Sequence, residues 1–236
     1  MDENNTIYRW IYMKEIIKLR RRLYMKLYLS SYKIGDKVDE LKKWINEHGN
    51  KICLIPNSRD IYPESERKEK GIKVDVEELT NIGFEVTVIS LKDYFNHKEE
   101  LIKALEKFRA FYVIGGNVFV LRQAMYLSGF DEYLKTIEND PNYLYAGYSA
   151  GICVLAKDMH GLDICDDPNI NPYGIDTMWN GLGYFDYIFL PHYKSNHKET
   201  ELIDTSVDYC NQHNIKFKTL SDGDVIIQQM GSEKER

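Results

Sequence analysis

The chain has 236 residues, of which 43% are apolar and 29% are charged, so it can bury one sizeable core, and one α/β domain is expected rather than two. A net charge of -6 argues against nucleic acid as a partner, and no apolar run is long enough to span a membrane or to act as a secretory signal. Four dispersed cysteines without a C-x-x-C pair argue against a disulfide framework or a zinc site. We therefore expect a cytoplasmic protein with reduced thiols.

Residues 1–24 differ in character from the rest, because the first strand pattern, Lys26–Ser30, starts directly after Met25. One interpretation is an amphipathic basic and aromatic helix over residues 7–24 that binds a membrane surface or a partner. The interpretation we favour is that Met25 is the natural start and that the extension is an artefact of start-site choice. We accordingly expect one domain over residues 25–236.

From Met25 onward, strand and helix patterns alternate along the chain. Apolar residues at helical spacing predict helices near 36–48, 72–83, 101–108 and 118–127, whereas the charged segment 57–71 is predicted to be irregular. Short apolar runs predict strands at 26–30, 51–55, 84–89, 110–114, 143–146, 187–193 and 225–229. This alternation is typical of a mostly parallel sheet covered by helices on both faces, a three-layer α/β sandwich.

Ligands of open parallel sheets bind beyond the carboxyl ends of the strands. We therefore expect the loops that follow Ile55, Ile114, Ala146 and Leu190 to face one crevice.

One of these loops carries Gly147-Tyr-Ser149-Ala-Gly151, between an apolar run and a helix-like stretch. Glycine on both sides of a serine is typical of a nucleophile elbow, in which a Cβ at either flank would collide with the neighbouring strand or helix. The elbow would lift the Ser149 hydroxyl to a helix N-terminus, where negative charge is favoured. The alternative is an ordinary strand-to-helix turn built from small residues.

Two other loops could complete such a site. Gly115-Gly116-Asn117 follows the fourth strand, and one of these glycine N–H groups could pair with that of Ala150 to form an oxyanion hole. His192 ends a strand that we place in the same sheet as Ser149, where it could act as the general base.

The remaining histidines are expected to be structural; they are His48, His97, His160, His197 and His213. His192 and His197 lack the spacing of a zinc pair on one helix, which makes a metal site the least favoured option.

The acid that would orient His192 has several candidates. Asp163, Asp166 and Asp167 lie between the serine and the histidine, whereas Asp222 lies in a turn before the last strand. A triad needs only one acid. We favour Asp222, because a turn next to a core strand holds a carboxylate more rigidly than a long irregular segment does.

Three motifs in this order resemble the peptidase E family of serine peptidases, whose best-known members are aspartyl dipeptidases and whose distant relatives include cyanophycinase. They are Gly115-Gly116-Asn117, the elbow around Ser149, and Pro191-His192-Tyr193 followed by His197-Lys198-Glu199-Thr200. The resemblance covers essentially residues 26–229. It implies a fold like that of class I glutamine amidotransferases (flavodoxin-like), with serine where those enzymes use cysteine.

The resemblance also implies roles for individual residues. Ser149 would be the nucleophile, His192 the base, and Gly116 with Ala150 the oxyanion donors, while Asn117 matches an asparagine that lines the substrate site. The Asp222-Gly223 turn aligns with an acid-glycine pair reported as the third triad member, although an acid between serine and histidine has also been proposed in that family.

One position departs from the family pattern. Aspartyl-specific members carry an arginine after the Glu-Thr pair that helps to hold the substrate's side-chain carboxylate, and here that position is Glu201. If Glu201 lines the pocket, it would repel an acidic first residue. The alternative is that Glu201 points to solvent from the first turn of a helix.

The sequence thus predicts a cytosolic serine peptidase that cleaves short peptides without a metal or organic cofactor. An α/β-hydrolase esterase is the enzymatic alternative, but a strand-helix-strand unit still follows His192, whereas esterases usually carry the histidine near the C-terminus. The alternative from another class is a catalytically idle binding domain on the same fold. The true substrate and the oligomeric state are left open.

Overall fold

The computed structural model describes residues 24–230, so the 1–24 extension, apart from Tyr24, lies outside the described residues. The strands are β1 Lys26–Ser30, β2 Lys51–Ile55, β3 Glu85–Val88, β4 Ala110–Val113, β5 Leu144–Tyr148, β6 Ile188–Leu190, β7 Phe217–Thr219 and β8 Val225–Gln229. The α-helices are α1 Val38–His48, α2 Glu66–Asn81, α3 Lys98–Leu105, α4 Val118–Ser128, α5 Phe130–Ile137, α6 Ala150–Cys153 and α7 Thr200–His213. Short 3₁₀ helices occupy Asn57–Arg59 and Leu91–Tyr94.

The central sheet has the strand order β3-β2-β4-β5-β1-β8. All neighbours in it are parallel except β8, which runs antiparallel to β1. The inner strands are buried on both faces, as every residue of β4 and β5 shows. This is why they read in the sequence as continuous apolar runs rather than as alternating patterns.

Helices cover both faces of this sheet and produce two separate apolar cores. On one face, Leu41 and Trp44 of α1 and Leu79 of α2 pack against alternate strand residues such as Leu54. On the other face, α3, α4, α5 and α6 pack against the intervening strand residues, among them Phe111. The predicted three-layer α/β sandwich is confirmed.

Two local predictions differ from the structure. Helix α2 begins at Glu66, within the segment predicted to be irregular, because the Ser65 side chain caps it by accepting a hydrogen bond of 3.3 Å from the Lys68 N–H. Strand β6 does not join the central sheet; it pairs with β7 in a separate two-stranded parallel sheet. The expectation that His192 ends a strand of the Ser149 sheet was therefore wrong.

Within residues 24–230, none of the helices combines the length and the apolar character needed to cross a membrane. The four cysteines are free thiols, and all but Cys165 are buried.

Candidate active site

Ser149 lies at a sharp turn between β5 and α6, in a backbone conformation with φ 50° and ψ -121°. Such a left-handed conformation of a non-glycine residue costs on the order of 1–3 kcal/mol, so the surrounding packing must enforce it. The flanking glycines make the turn possible. A Cβ at Gly151 would lie 2.1 Å from the carbonyl oxygen of Val113 in β4, and a Cβ at Gly147 would lie 2.8 Å from the same oxygen. The turn therefore has the geometry of a nucleophile elbow.

The strand register brings a second and a third segment beside the elbow. Ser30, the last residue of β1, pairs with Tyr148 on one side and with Val225, the first residue of β8, on the other. Because β8 is antiparallel, the turn that precedes it lies at the carboxyl edge of the sheet, together with the elbow. This turn contains Asp222.

His192 lies in the segment that follows β6, also with a positive φ of 64°. Its Nδ1 atom is 2.7 Å from Oδ1 of Asp222, and its side chain is only 2% exposed. A carboxylate at this distance favours the tautomer with the proton on Nδ1 and leaves Nε2 to accept a proton. The structure thus gives His192 the kind of partner that a general base of a triad has.

Ser31 holds this pair together and was not recognised in the sequence. Its buried Oγ accepts a hydrogen bond of 2.8 Å from the His192 N–H. The same Oγ lies 3.1 Å from Oδ1 of Asp222 and 3.1 Å from the carbonyl oxygen of Leu220, so its single proton is shared between these two acceptors. Asp222 is anchored further by its own N–H, which donates to Ser195 Oγ at 2.7 Å. The available signal was that Ser31 directly follows a central strand, at the edge where ligands bind.

The glycine loop after β4 closes another side of the site. A Cβ at Gly116 would come within 2.3 Å of the carbonyl oxygen of Ser58, so only glycine fits this approach between two loops. Ala150 is the first residue of α6, where the N–H has no acceptor within its own helix. The placement of Gly116 and Ala150 is compatible with an oxyanion hole.

Asn117 has a structural task at the same place. Its side-chain oxygen accepts hydrogen bonds from the N–H groups of Phe119 and Val120 and caps α4, while its amide nitrogen donates to the carbonyl oxygen of Asp167 at 3.0 Å. It therefore lines the site with a side chain whose polar atoms are already engaged.

A cavity of about 920 Å³ lies between several of these residues. Its lining includes residues from the loops after β2, β4, β5 and β6, here represented by Arg59, Gly116, Ser149 and His192. The predicted crevice at the carboxyl edge is confirmed, although β6 reaches it from the second sheet.

His197, for which a structural role was expected, also lines this cavity. Its ring stacks on that of His192, with ring centroids 3.7 Å apart and an angle of 10° between the planes, and Tyr32 packs against both rings. Desolvation, followed by the neighbouring His192, lowers the pKa of His197. Glu199 lines the cavity beside it.

The other acids predicted from the sequence have different environments. Asp163 accepts a hydrogen bond of 2.9 Å from the Gly161 N–H. Asp166 lines the cavity and accepts one of 2.8 Å from the Val118 N–H, and desolvation raises its pKa to about 7. Asp167 lines the cavity as an exposed residue.

Glu201 does not fit the pocket role considered for it. It lies in the first turn of α7 with an exposed side chain, and it is absent from the described residues that line the cavity. A carboxylate in a first helical turn interacts favourably with the helix dipole, which accounts for this position.

A buried ionic cluster supports the elbow from beneath. Asp75 of α2 is fully buried; its Oδ1 is 2.7 Å from Lys33 Nζ and accepts the Tyr148 hydroxyl at 2.9 Å, and its Oδ2 is 2.8 Å from Arg59 Nη2. Asp75 thereby offsets part of the positive charge of these two cations, which line the cavity. The sequence carried a signal for this, since Asp75 shares the apolar helix face of Ile72, Val76 and Leu79.

A serine in a strained elbow, at a cavity that also contains a carboxylate-bonded histidine, is the arrangement of serine-type hydrolases. The sequence model of the protein family named peptidase family S51 matches residues 29–233. The chain therefore belongs to peptidase family S51 and is a serine-type peptidase.

Two solved structures show the same fold. A protein from Listeria monocytogenes EGD-e assigned as a peptidase E superposes with a TM-score of 0.67 and 22% identity, covering 88% of this chain and 99% of that one. A peptidase from an acI-B1 Actinobacterium superposes with a TM-score of 0.65 and 16% identity, covering 91% of this chain and 87% of that one. No curated protein matches the sequence significantly.

Proposed function

We propose that this peptidase hydrolyses short peptides through an acyl-enzyme formed on Ser149. The observation that carries the proposal is the contact of 2.7 Å between His192 Nδ1 and Asp222 Oδ1 at a cavity that Ser149 also lines. In this scheme Nε2 of His192 accepts the Ser149 proton as the hydroxyl attacks the peptide carbonyl. The same proton then passes to the leaving amine, and water repeats the sequence to release the acid.

The N–H groups of Gly116 and Ala150 are the proposed donors to the oxyanion of the tetrahedral intermediate. A well-placed donor of this kind contributes about 3–4 kcal/mol to the transition state. Ser149 also lies at the N-terminus of the short helix α6, where the helix dipole favours negative charge. In this proposal, every group that takes part in acyl transfer belongs to the protein.

The size of the cavity supports a short substrate. A volume of about 920 Å³ is near the upper end of the range of about 300–1,000 Å³ for small-ligand sites, and it holds a few residues rather than a folded chain. Preference for an aspartyl first residue is not part of the proposal, because the position that carries arginine in aspartyl dipeptidases is an exposed glutamate here, Glu201.

Removal of the nucleophile tests the proposal. Ser149→Ala should keep its fold, as measured by its melting temperature, yet lose turnover on a dipeptide panel by a factor on the order of 10⁶. A fluorophosphonate probe should label the wild type and not the variant. Retained activity in Ser149→Ala would refute the site assignment, and an unlabelled wild type would favour the idle binding domain. Much faster hydrolysis of simple esters than of any peptide would favour the esterase.

A further inference from the structure

The catalytic histidine has two close neighbours that the proposed reaction does not use. His192, His197 and Glu199 each offer a side-chain donor atom, and these atoms all lie within 4.8 Å of one another. We propose that these three residues bind a zinc ion and that zinc occupancy inhibits the enzyme. The inhibition rests on the proposed function, whereas the binding does not.

The donor set matches the preferences of zinc. Two imidazole nitrogens and one carboxylate oxygen form a common three-ligand zinc site that leaves the fourth position to water. Nδ1 of His192 is occupied by Asp222, so Nε2 is its free nitrogen. The contact with Asp222 has a further effect, because a carboxylate on the far nitrogen of a histidine ligand orients the ring and raises its basicity toward the metal.

The second histidine also has one nitrogen free. Nδ1 of His197 accepts a hydrogen bond of 3.3 Å from the Glu199 N–H, which leaves Nε2. Among residues 24–230, the Glu199 carboxylate has only a loose ion pair with Lys198, at 3.7 Å, and Lys198 is 76% exposed. Neither ligand would have to break a buried ion pair to reach a metal ion.

Metal binding requires one movement. The two rings are now nearly parallel, at an angle of 10°. A metal at about 2.0–2.1 Å from each nitrogen must lie close to both ring planes, so the rings have to turn apart. His192 is buried and tied to Asp222, whereas His197 is only half-buried and precedes α7. We therefore assign the rotation to His197.

The effect on function follows from the identity of the nitrogen atom to which the metal would bind. Nε2 of His192 is the proposed acceptor of the Ser149 proton, and a nitrogen bound to zinc has no lone pair left to accept it. Zinc would thus block the base directly, without changing the fold.

The experiment uses the full chain without a polyhistidine tag. Co²⁺ is titrated as a spectroscopic substitute for zinc, and displacement by Zn²⁺ gives the zinc affinity. The wild type should show the intense visible absorption of a tetrahedral site, with one ion per chain. Removal of a residue that only contacts a metal ligand lowers metal affinity by about 10–100-fold. Removal of a ligand itself should cost at least as much, so His197→Ala and Glu199→Gln should each weaken binding at least tenfold.

Matched controls come from the same region of the chain. Glu201→Gln removes an exposed carboxylate two residues from Glu199, and His213→Ala removes an exposed histidine at the end of α7. Both should bind the metal like the wild type. Equal binding by all four variants, or the absence of a tetrahedral spectrum in the wild type, would overturn the proposed site.

The inhibitory role is tested separately. Zn²⁺ should inhibit peptide hydrolysis by the wild type, and a chelator should restore activity, while Ser149→Ala should bind zinc like the wild type. Binding to Ser149→Ala thus measures the metal site even if no peptide substrate is found. Zinc binding that leaves hydrolysis unchanged, or that activates it, would overturn the inhibition.

Discussion

The Asp222→Asn variant probes the pair on which the proposed mechanism depends. Asp222 Oδ1 is 2.7 Å from His192 Nδ1 and 3.1 Å from the Ser31 hydroxyl, so an amide of the same shape fits the space. The backbone position should also persist, because the Asp222 N–H donates to Ser195 Oγ at 2.7 Å. The substitution therefore changes charge and hydrogen-bonding character at one place with little disturbance of packing.

The expected loss can be estimated from the role of the carboxylate. In the proposed mechanism it holds the proton on Nδ1 and stabilises the imidazolium that forms when Ser149 is deprotonated. An asparagine that presents its NH₂ group favours the opposite tautomer, and turnover should fall by up to about 10⁴, which corresponds to about 5 kcal/mol of transition-state stabilisation. Asp222 does not line the described cavity, so KM should change little.

The assay is steady-state hydrolysis of the best dipeptide in the panel, with kcat and KM determined separately. Asp163→Asn serves as the matched control, because Asp163 contacts the Gly161 N–H instead of the histidine and was an alternative triad acid. It should keep kcat within about twofold. A kcat for Asp222→Asn within tenfold of the wild type, or an equal loss in Asp163→Asn, would refute the role assigned to Asp222.

Two further predictions concern Ser31 and Asp166. Ser31→Ala removes the hydroxyl that lies between the His192 N–H and the Asp222 carboxylate; kcat should fall by about tenfold with KM unchanged, and Ser31→Thr should recover part of the loss. Burial raises the pKa of Asp166 to about 7, from about 4 in the unfolded chain. The folded state therefore binds the proton more tightly, and the free energy of unfolding of the wild type should fall by up to about 4 kcal/mol as the pH rises from 4 to 7. Asp166→Asn should therefore gain a melting-temperature advantage that grows from pH 4 to pH 8, and an advantage independent of pH would contradict this reasoning.

Much of the architecture could be predicted because parallel α/β sheets have a strong sequence signature. Buried strands read as apolar runs, and the carboxyl ends of parallel strands meet at one edge, so the loops with Gly116 and Ser149 could be assigned to one crevice. The assignment of β6 failed because its apolar run is equally compatible with a second small sheet. The spacing of apolar residues in the sequence indicates which residues are buried, but it does not identify the strand with which they pair.

The parts of the site that could not be predicted depend on the path of loops. The segment that brings His197 onto His192 contains two residues with positive φ, His192 at 64° and Lys194 at 50°. Neither residue is a glycine, so the sequence gives no sign of this backbone conformation. Ser31 was missed for a related reason, since a serine after a strand resembles any polar loop residue until its partners are known.

The single antiparallel strand explains how the site is assembled. Ser149 and Ser31 follow β5 and β1, which are parallel neighbours, so both lie at the carboxyl edge of the sheet. Asp222 precedes its strand, and a residue before a strand reaches that edge only if the strand runs in the opposite direction, as β8 does. A slip of two residues between β1 and β8 would move the Asp222 turn by about 7 Å, well beyond hydrogen-bonding distance of His192. Since β8 pairs only with β1 among the described strands, the contact between His192 and Asp222 depends on the register of this one ladder.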